Sequence, residues 1–159
     1  MTKSLTAPRW LVAAVAFFGV ASAARATDVK IENYSNGPVY VAQADNRGTQ
    51  VSHGWVQIGP NDSQTFSAPD SAELYIRVQD RNGREITFTN YRTFMNFPAH
   101  HERFSVKTEP DDLNVWVLKY GDDLEFSRNI RRGDDLPRGW TNRAFFAVGA
   151  GNHKLEIKP

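Results

Sequence analysis

No cysteine occurs anywhere in the 159 residues. That absence excludes disulfides, a lipid-modified cysteine at a processing site, thiol catalysis and cysteine metal sites. Stability has to come from buried apolar surface. A long apolar run is also missing. The longest, Trp10 to Ala21, is about twelve residues, and a bilayer span needs about twenty. Charge of one sign is not in excess, with 19 basic against 18 acidic residues. The two signs are interleaved, which argues against a polyanion-binding face or a polybasic membrane patch. No nucleic-acid partner is expected. Convincing helical periodicity is absent after residue 26.

What is present begins at the N-terminus. Lys3 and Arg9 precede the apolar run, and Ala24-Arg25-Ala26 follows it. A basic start, a short apolar run and a small-x-small exit form the order of a secretory signal. The reading is a helical signal peptide over 1–26, cleaved before Thr27, and one domain over 27–159. Such a protein is exported, periplasmic or extracellular, with no stable membrane insertion after processing. Removing Lys3, Arg9 and Arg25 leaves 16 of the 19 basic residues against 18 acidic ones, a net charge of −2.

After residue 26 the apolar period is two. Val29 and Ile31 alternate with Asp28, Lys30 and Glu32, and Leu74, Ile76 and Val78 alternate with Tyr75, Arg77 and Gln79. This is the pattern of strands with one buried face. It predicts strands over 28–33, 38–43, 51–58, 64–67, 73–80, 85–89, 103–108, 113–120, 144–148 and 154–157. Asn36-Gly37-Pro38, Gly59-Pro60-Asn61-Asp62 and Asn82-Gly83 separate them, and Asp80 to Arg84 reads as a hairpin turn. Residues 91–101 alternate poorly and read as a covering loop or an irregular edge strand. Strands at this spacing favour an all-β fold, an antiparallel β-sandwich or partly open barrel of roughly eight to ten strands.

Ile31-Glu32-Asn33-Tyr34-Ser35, Gly54-Trp55 with the Gly59-Pro60 turn, and Leu74-Tyr75-Ile76-Arg77 with Gly83 carry a resemblance over about residues 31–84. The segment resembles small exported bacterial β domains of unknown function. Those carry an asparagine-led first strand, a Gly-Trp strand ending at a proline turn, and a tyrosine-rich strand. Many also carry cysteines and a second tryptophan beside the first, which this chain lacks. The resemblance implies an exported β domain and transfers no functional residue.

Several constellations bear on chemistry. In an extended strand His100 and Glu102 share a face, so His100, His101 and Glu102 are the weak metal candidates, with a metal-dependent hydrolase as one reading. A third ligand has to arrive from elsewhere. Three Asp-Asp-Leu triplets, at Asp111, Asp122 and Asp134, offer oxygens to calcium but lack calcium-loop spacing. Acidic turns of a meander explain them equally. No Gly-x-Ser-x-Gly elbow occurs. Trp116, among Val115, Val117 and Leu118, reads as core. Trp55 reads as closing the sandwich beside the Gly59-Pro60 turn. Tyr40 and Tyr75 fall on the faces opposite the assigned core.

Trp140 lies in a polar stretch and is the leading surface aromatic. Arg128, Arg131, Arg132, Arg138 and Arg143 flank it, and arginine with tryptophan typifies interaction hot spots. The 128–143 loop is therefore the first candidate contact surface. The Tyr91 to Phe97 segment, with Phe94 and Phe97 exposed, is the second. The functional expectation is a non-catalytic binding or interaction module, without cofactor, for an unknown protein or polysaccharide partner. A carbohydrate-binding module of the cell envelope and the metal-dependent hydrolase are the alternatives.

Overall fold

The computed structural model describes residues 26–47, 49–68, 72–109, 111–120 and 127–159. The expected leader over 1–26, except Ala26, and the Asp122 triplet lie outside them. The described residues contain twelve strands and no helix. The strands are β1 (Thr27–Asn33), β2 (Val39–Arg47), β3 (Thr49–Ile58), β4 (Asp62–Ala68), β5 (Glu73–Asp80), β6 (Glu85–Ile86), β7 (Phe94–His100), β8 (Phe104–Thr108), β9 (Val115–Tyr120), β10 (Ser127–Arg131), β11 (Trp140–Val148) and β12 (Asn152–Ile157). The count exceeds the expected eight to ten for two reasons. A strand, β7, occupies the segment read as irregular. Another, β10, occupies part of the expected 128–143 loop.

Two sheets result. The smaller has the order β12-β1-β4. The larger runs β10-β9-β8-β3-β2-β5-β11-β7, with β6 added beside β5, and curls into a half-barrel. Pairing is antiparallel with one exception. The strands β1 and β12 run parallel, Ile31 opposite Leu155. Only sequence neighbours joined by tight turns are obliged to run antiparallel. The first and last strands of the described domain meet through the whole intervening chain and escape that constraint.

The alternation seen in the sequence maps onto two cores. Val29, Ile31, Phe66, Leu155 and Ile157 of the smaller sheet meet Val41, Ile58, Leu74, Ile76, Val78 and Phe146 of the larger one. The second core lies inside the curl and gathers Ala42, Ala44, Tyr75, Phe97, Phe104, Val106, Trp116, Leu118, Ile130, Trp140 and Phe145. Each large apolar side chain removed from water this way contributes about 1.5–3 kcal/mol before entropy is charged against it. The placement also shows what covers the second face of β5. Tyr75 stands opposite Leu74 and Ile76 on β5, as alternation requires, yet it is only 3% exposed. Its face is covered by the curl, and burial together with the Glu73 carboxylate pushes its hydroxyl up to about 12.

The curl needs close backbone approach at β3. Val41 faces Val56, but Gln43 faces His53, so Gly54 and Trp55 together oppose Ala42. Such a bulge bends its strand and increases the local twist. A Cβ on Gly54 would sit 2.4 Å from the Phe104 ring and 2.9 Å from Ala42. Glycine there lets the second core close.

The smaller sheet is anchored through Asn33, which is fully buried. Its Nδ2 donates to the carbonyls of Gly37 (2.8 Å), Ile58 (3.1 Å) and Gly59 (3.1 Å). Its Oδ1 accepts from the Ser35 amide and hydroxyl. One side chain thus ties β1 to the turns before β2 and after β3. Next to it, Lys154 and Lys30 hold the Glu32 carboxylate down to about 2, helped by the Tyr34 hydroxyl. The ordinary value is 4.5, so this group's contribution to stability is complete above that pH and is lost as pH falls toward 2.

Asn33→Ala leaves the buried Ile58 carbonyl, and the part-buried Gly37 and Gly59 carbonyls and Ser35 amide, without this partner. The expected loss is about 2–3 kcal/mol, read as a lower urea midpoint at unchanged slope. A loss below about 0.5 kcal/mol contradicts the anchoring role.

Candidate functional site: a polar pocket at one end of the half-barrel

Four strands end or bend together at one end of the curl. They are the C-terminal parts of β3, β5 and β7 and the start of β11, capped by the β5–β6 hairpin. Between them lies a pocket of about 350 Å³. Trp55, Gln79, Thr141 and Arg143 line its strands, and Arg81 and His101 stand at its turns. Trp55 is half-buried, packs edge-on against Phe104 at 5.7 Å, and donates its indole N–H to the His100 carbonyl (3.1 Å). This bond joins β3 to the end of β7 across the mouth of the curl.

Arg81 and Arg143 are exposed, and neither has an ion-pair partner among the described residues. Two carboxylates of the neighbouring turns make other contacts. Asp80 accepts the amides of Asn82 (2.8 Å) and Arg84 (2.9 Å), closing the hairpin. Glu102 lies 3.7 Å from His101 Nε2. Arg77, one step behind Gln79 on the same face of β5, is buried, but its charge is met by Glu85 at 3.1 Å and by the Ala144 carbonyl at 2.9 Å. The pocket therefore carries two guanidinium groups outside any ion pair, the His100 and His101 imidazoles, an amide, a hydroxyl and one aromatic wall.

The histidines beside it serve the fold. The strand β7 ends at His100, and 101–103 form a bend, so the strand geometry that would align His100 with Glu102 is not present. His100 is buried, stacked on Tyr120 at 4.8 Å and against His101 at 4.2 Å. Its Nδ1 accepts the Glu102 amide (3.1 Å). Its Nε2 lies against Gly139, where an added Cβ would stand 2.3 Å away. Burial, then the neighbouring His101, lower the His100 pKa against a weaker opposing effect of Glu102. Its Nδ1 is occupied, its Nε2 faces Gly139, and the residue lines the pocket wall. Among the described residues no group of three His, Cys, Asp or Glu side chains is placed to hold a metal.

The other sequence candidates disperse. Trp140 is 5% exposed, packed on His100 and Phe104, and belongs to the second core. The polar residues around it in sequence lie at the surface while its ring turns inward. Phe97 is fully buried against Tyr75, Trp116 and Phe145, because its strand forms an inner wall of the curl. Phe94 is 50% exposed, as expected. Trp116 is core, as expected, and the Arg132 guanidinium lies 4.4 Å above its ring. Arg131 and Arg132 flank a different cleft, with Met95, Pro98 and Leu136. Arg138 is exposed and lines neither. Of the arginine group only Arg143 reaches the Trp55 pocket. Asp112 and Asp134 accept the amides of Asn114 (3.0 Å) and Arg131 (3.2 Å), the work of turn residues.

Trp55, Gln79, Arg81 and Thr141 were not singled out as a group by the sequence. The signal that existed was the Gly54-Trp55 pair and the Asp80 to Arg84 hairpin. Their convergence requires the strand order. Comparison with family models, curated proteins and solved structures finds no match. No helix of the described residues is long and apolar enough to cross a membrane.

Gly139 has φ of +88° and no room for a side chain. Gly139→Ala is expected to cost about 1–3 kcal/mol, and less on a His100→Ala background. Equal cost in both backgrounds contradicts the packing of Gly139 on His100.

Proposed function

We propose that this chain is an exported, non-catalytic binding module whose ligand site is the pocket between Trp55 and Arg143. The observation that carries the reading is the convergence, on four strand ends, of two unpaired arginines with an amide, a hydroxyl and a half-buried tryptophan. Ligand sites combine an apolar wall with a few placed polar groups, and sites built on strands are held more rigidly than sites on loops. The bonding of His100 speaks against its use as a metal ligand through Nδ1, which accepts the Glu102 amide. A carbohydrate ligand is favoured over a protein partner. The pocket is concave, and Trp140 and Phe97, the anchors a protein-contact surface would need, are in the core. Export is supported by the basic start, apolar run and Ala24-Arg25-Ala26 exit.

Two measurements test this reading. Cell fractionation with N-terminal sequencing is expected to find a chain beginning at Thr27 outside the cytosol. An intact Met1 on cytosolic protein contradicts export. Nuclear magnetic resonance of the processed chain with neutral sugars, sugar acids, amines and short peptides is expected to show one class shifting the Trp55 indole proton. The Gln79 and Thr141 amides shift with it, and the ligand is recovered unchanged. Silence at these probes across all classes, or turnover of a ligand, contradicts the binding reading.

A further inference from the structure

Resting on that reading, we infer that the pocket recognises a sugar acid: one pyranose ring carrying a carboxylate. The carboxylate lies between Arg81 and Arg143, the hydroxyls reach Gln79 and Thr141, and Trp55 forms the apolar wall.

Charge decides the anionic part. Arg81 and Arg143 enter the pocket from the hairpin and from β11, and no described acid neutralises either one. Asp80 accepts the hairpin amides and Glu102 lies 3.7 Å from His101, and neither carboxylate forms an ion pair with Arg81 or Arg143. Like charges placed together without a counter-ion raise the local positive potential, and a planar guanidinium pairs best with a carboxylate or phosphate through two parallel hydrogen bonds. Both arginines are solvent-exposed, so each contact is screened and worth less than a buried one.

The rest of the lining distinguishes a sugar acid from a bare anion. A bare phosphate or acetate needs only the cationic groups. Gln79 offers a donor and an acceptor and Thr141 a hydroxyl with both capacities, the complement of ring hydroxyls. Trp55 cannot turn away, because its N–H is fixed on the His100 carbonyl and its edge on Phe104. It presents a rigid apolar surface of the kind against which the C–H face of a pyranose packs. The volume, about 350 Å³, falls at the small end of ligand pockets and suits one ring rather than a buried chain of several.

The experiment is titration of the processed protein, followed calorimetrically and at the Trp55 indole proton, with five probes. They are glucuronate, its neutral amide glucuronamide, glucose, acetate and inorganic phosphate. Glucuronate is expected to bind at least tenfold more tightly than each of the other four. Its affinity should fall as salt rises. Arg81→Gln and Arg143→Gln should each weaken it at least fivefold with the melting temperature unchanged, since neither side chain supports the fold. Arg131→Gln, in the other cleft, should change nothing. Glucuronamide or glucose binding as tightly as glucuronate overturns the acid requirement and leaves the binding reading standing. Phosphate or acetate binding as tightly overturns the sugar requirement and likewise leaves it standing. Failure of all five, while another class shifts Trp55, overturns the inference alone. Silence of the pocket to every class overturns both.

Discussion

The middle of the large sheet has to be covered on both of its faces. Leu74, Ile76 and Val78 project from one side of β5, and Tyr75 and the buried Arg77 from the other. The neighbouring β2 divides the same way, with Val39 and Val41 in one core and Ala42 and Ala44 in the other. A strand apolar on both sides is stable only between two layers. One layer is the small sheet, fixed through Asn33. The other is the large sheet itself, which curls back over its own centre. Twist alone bends a sheet of this length. The bulge at Gly54 and Trp55, with room made by Gly54 and Ala42 for Phe104, sharpens the bend.

The candidate site is a consequence of that curl. Rolling the sheet brings the ends of β3, β5, β7 and β11 to one place, and the hydrogen bond from Trp55 to the His100 carbonyl holds them there. Of the two adjacent histidines, His100 is buried in this closure, while His101 stays exposed at the pocket. His100 fills the space between Tyr120, Trp140 and Gly139, and its burial lowers its pKa. What remains open to solvent is a rim of cationic and neutral polar groups around one aromatic wall. Such a surface is suited to holding a ligand, and the fold leaves it rigid.

Much of the fold was legible from period and turn chemistry. Each of the ten predicted strands exists, and β5 has the predicted bounds. Residues Glu85 to Thr89 shrink to a two-residue strand because β11 takes the rest of the edge of β5. The strand β7 is the irregular edge strand that was one of two readings of 91–101, and β10 was not expected; both lack clean alternation for physical reasons. The strand β7 carries Pro98 and buries four consecutive residues, Phe97 to His100, at the junction between the curl and the aromatic stack. The strand β10 is short and mostly polar, with Ile130 its buried apolar residue. Trp140 was misplaced because its neighbours in sequence are polar, and a strand's first residue can turn inward while the turn before it stays wet. Of the site, Arg143, His100 and His101 are residues the sequence singles out, the histidines for a different chemistry. Trp55, Gln79, Arg81 and Thr141 are far apart in the chain, and no local pattern records which strand ends meet.

If β2 and β5 serve both cores, neither core can open while the other stays folded. Native-state amide hydrogen exchange measures this directly. The amides of Val29, Ile31 and Leu155, under the small sheet, should open with the same free energy and denaturant dependence as those of Val106 and Leu118 inside the curl. That common value should equal the free energy of global unfolding. Two separated values, with one core exchanging through a partial opening that leaves the other protected, would contradict the shared-strand account.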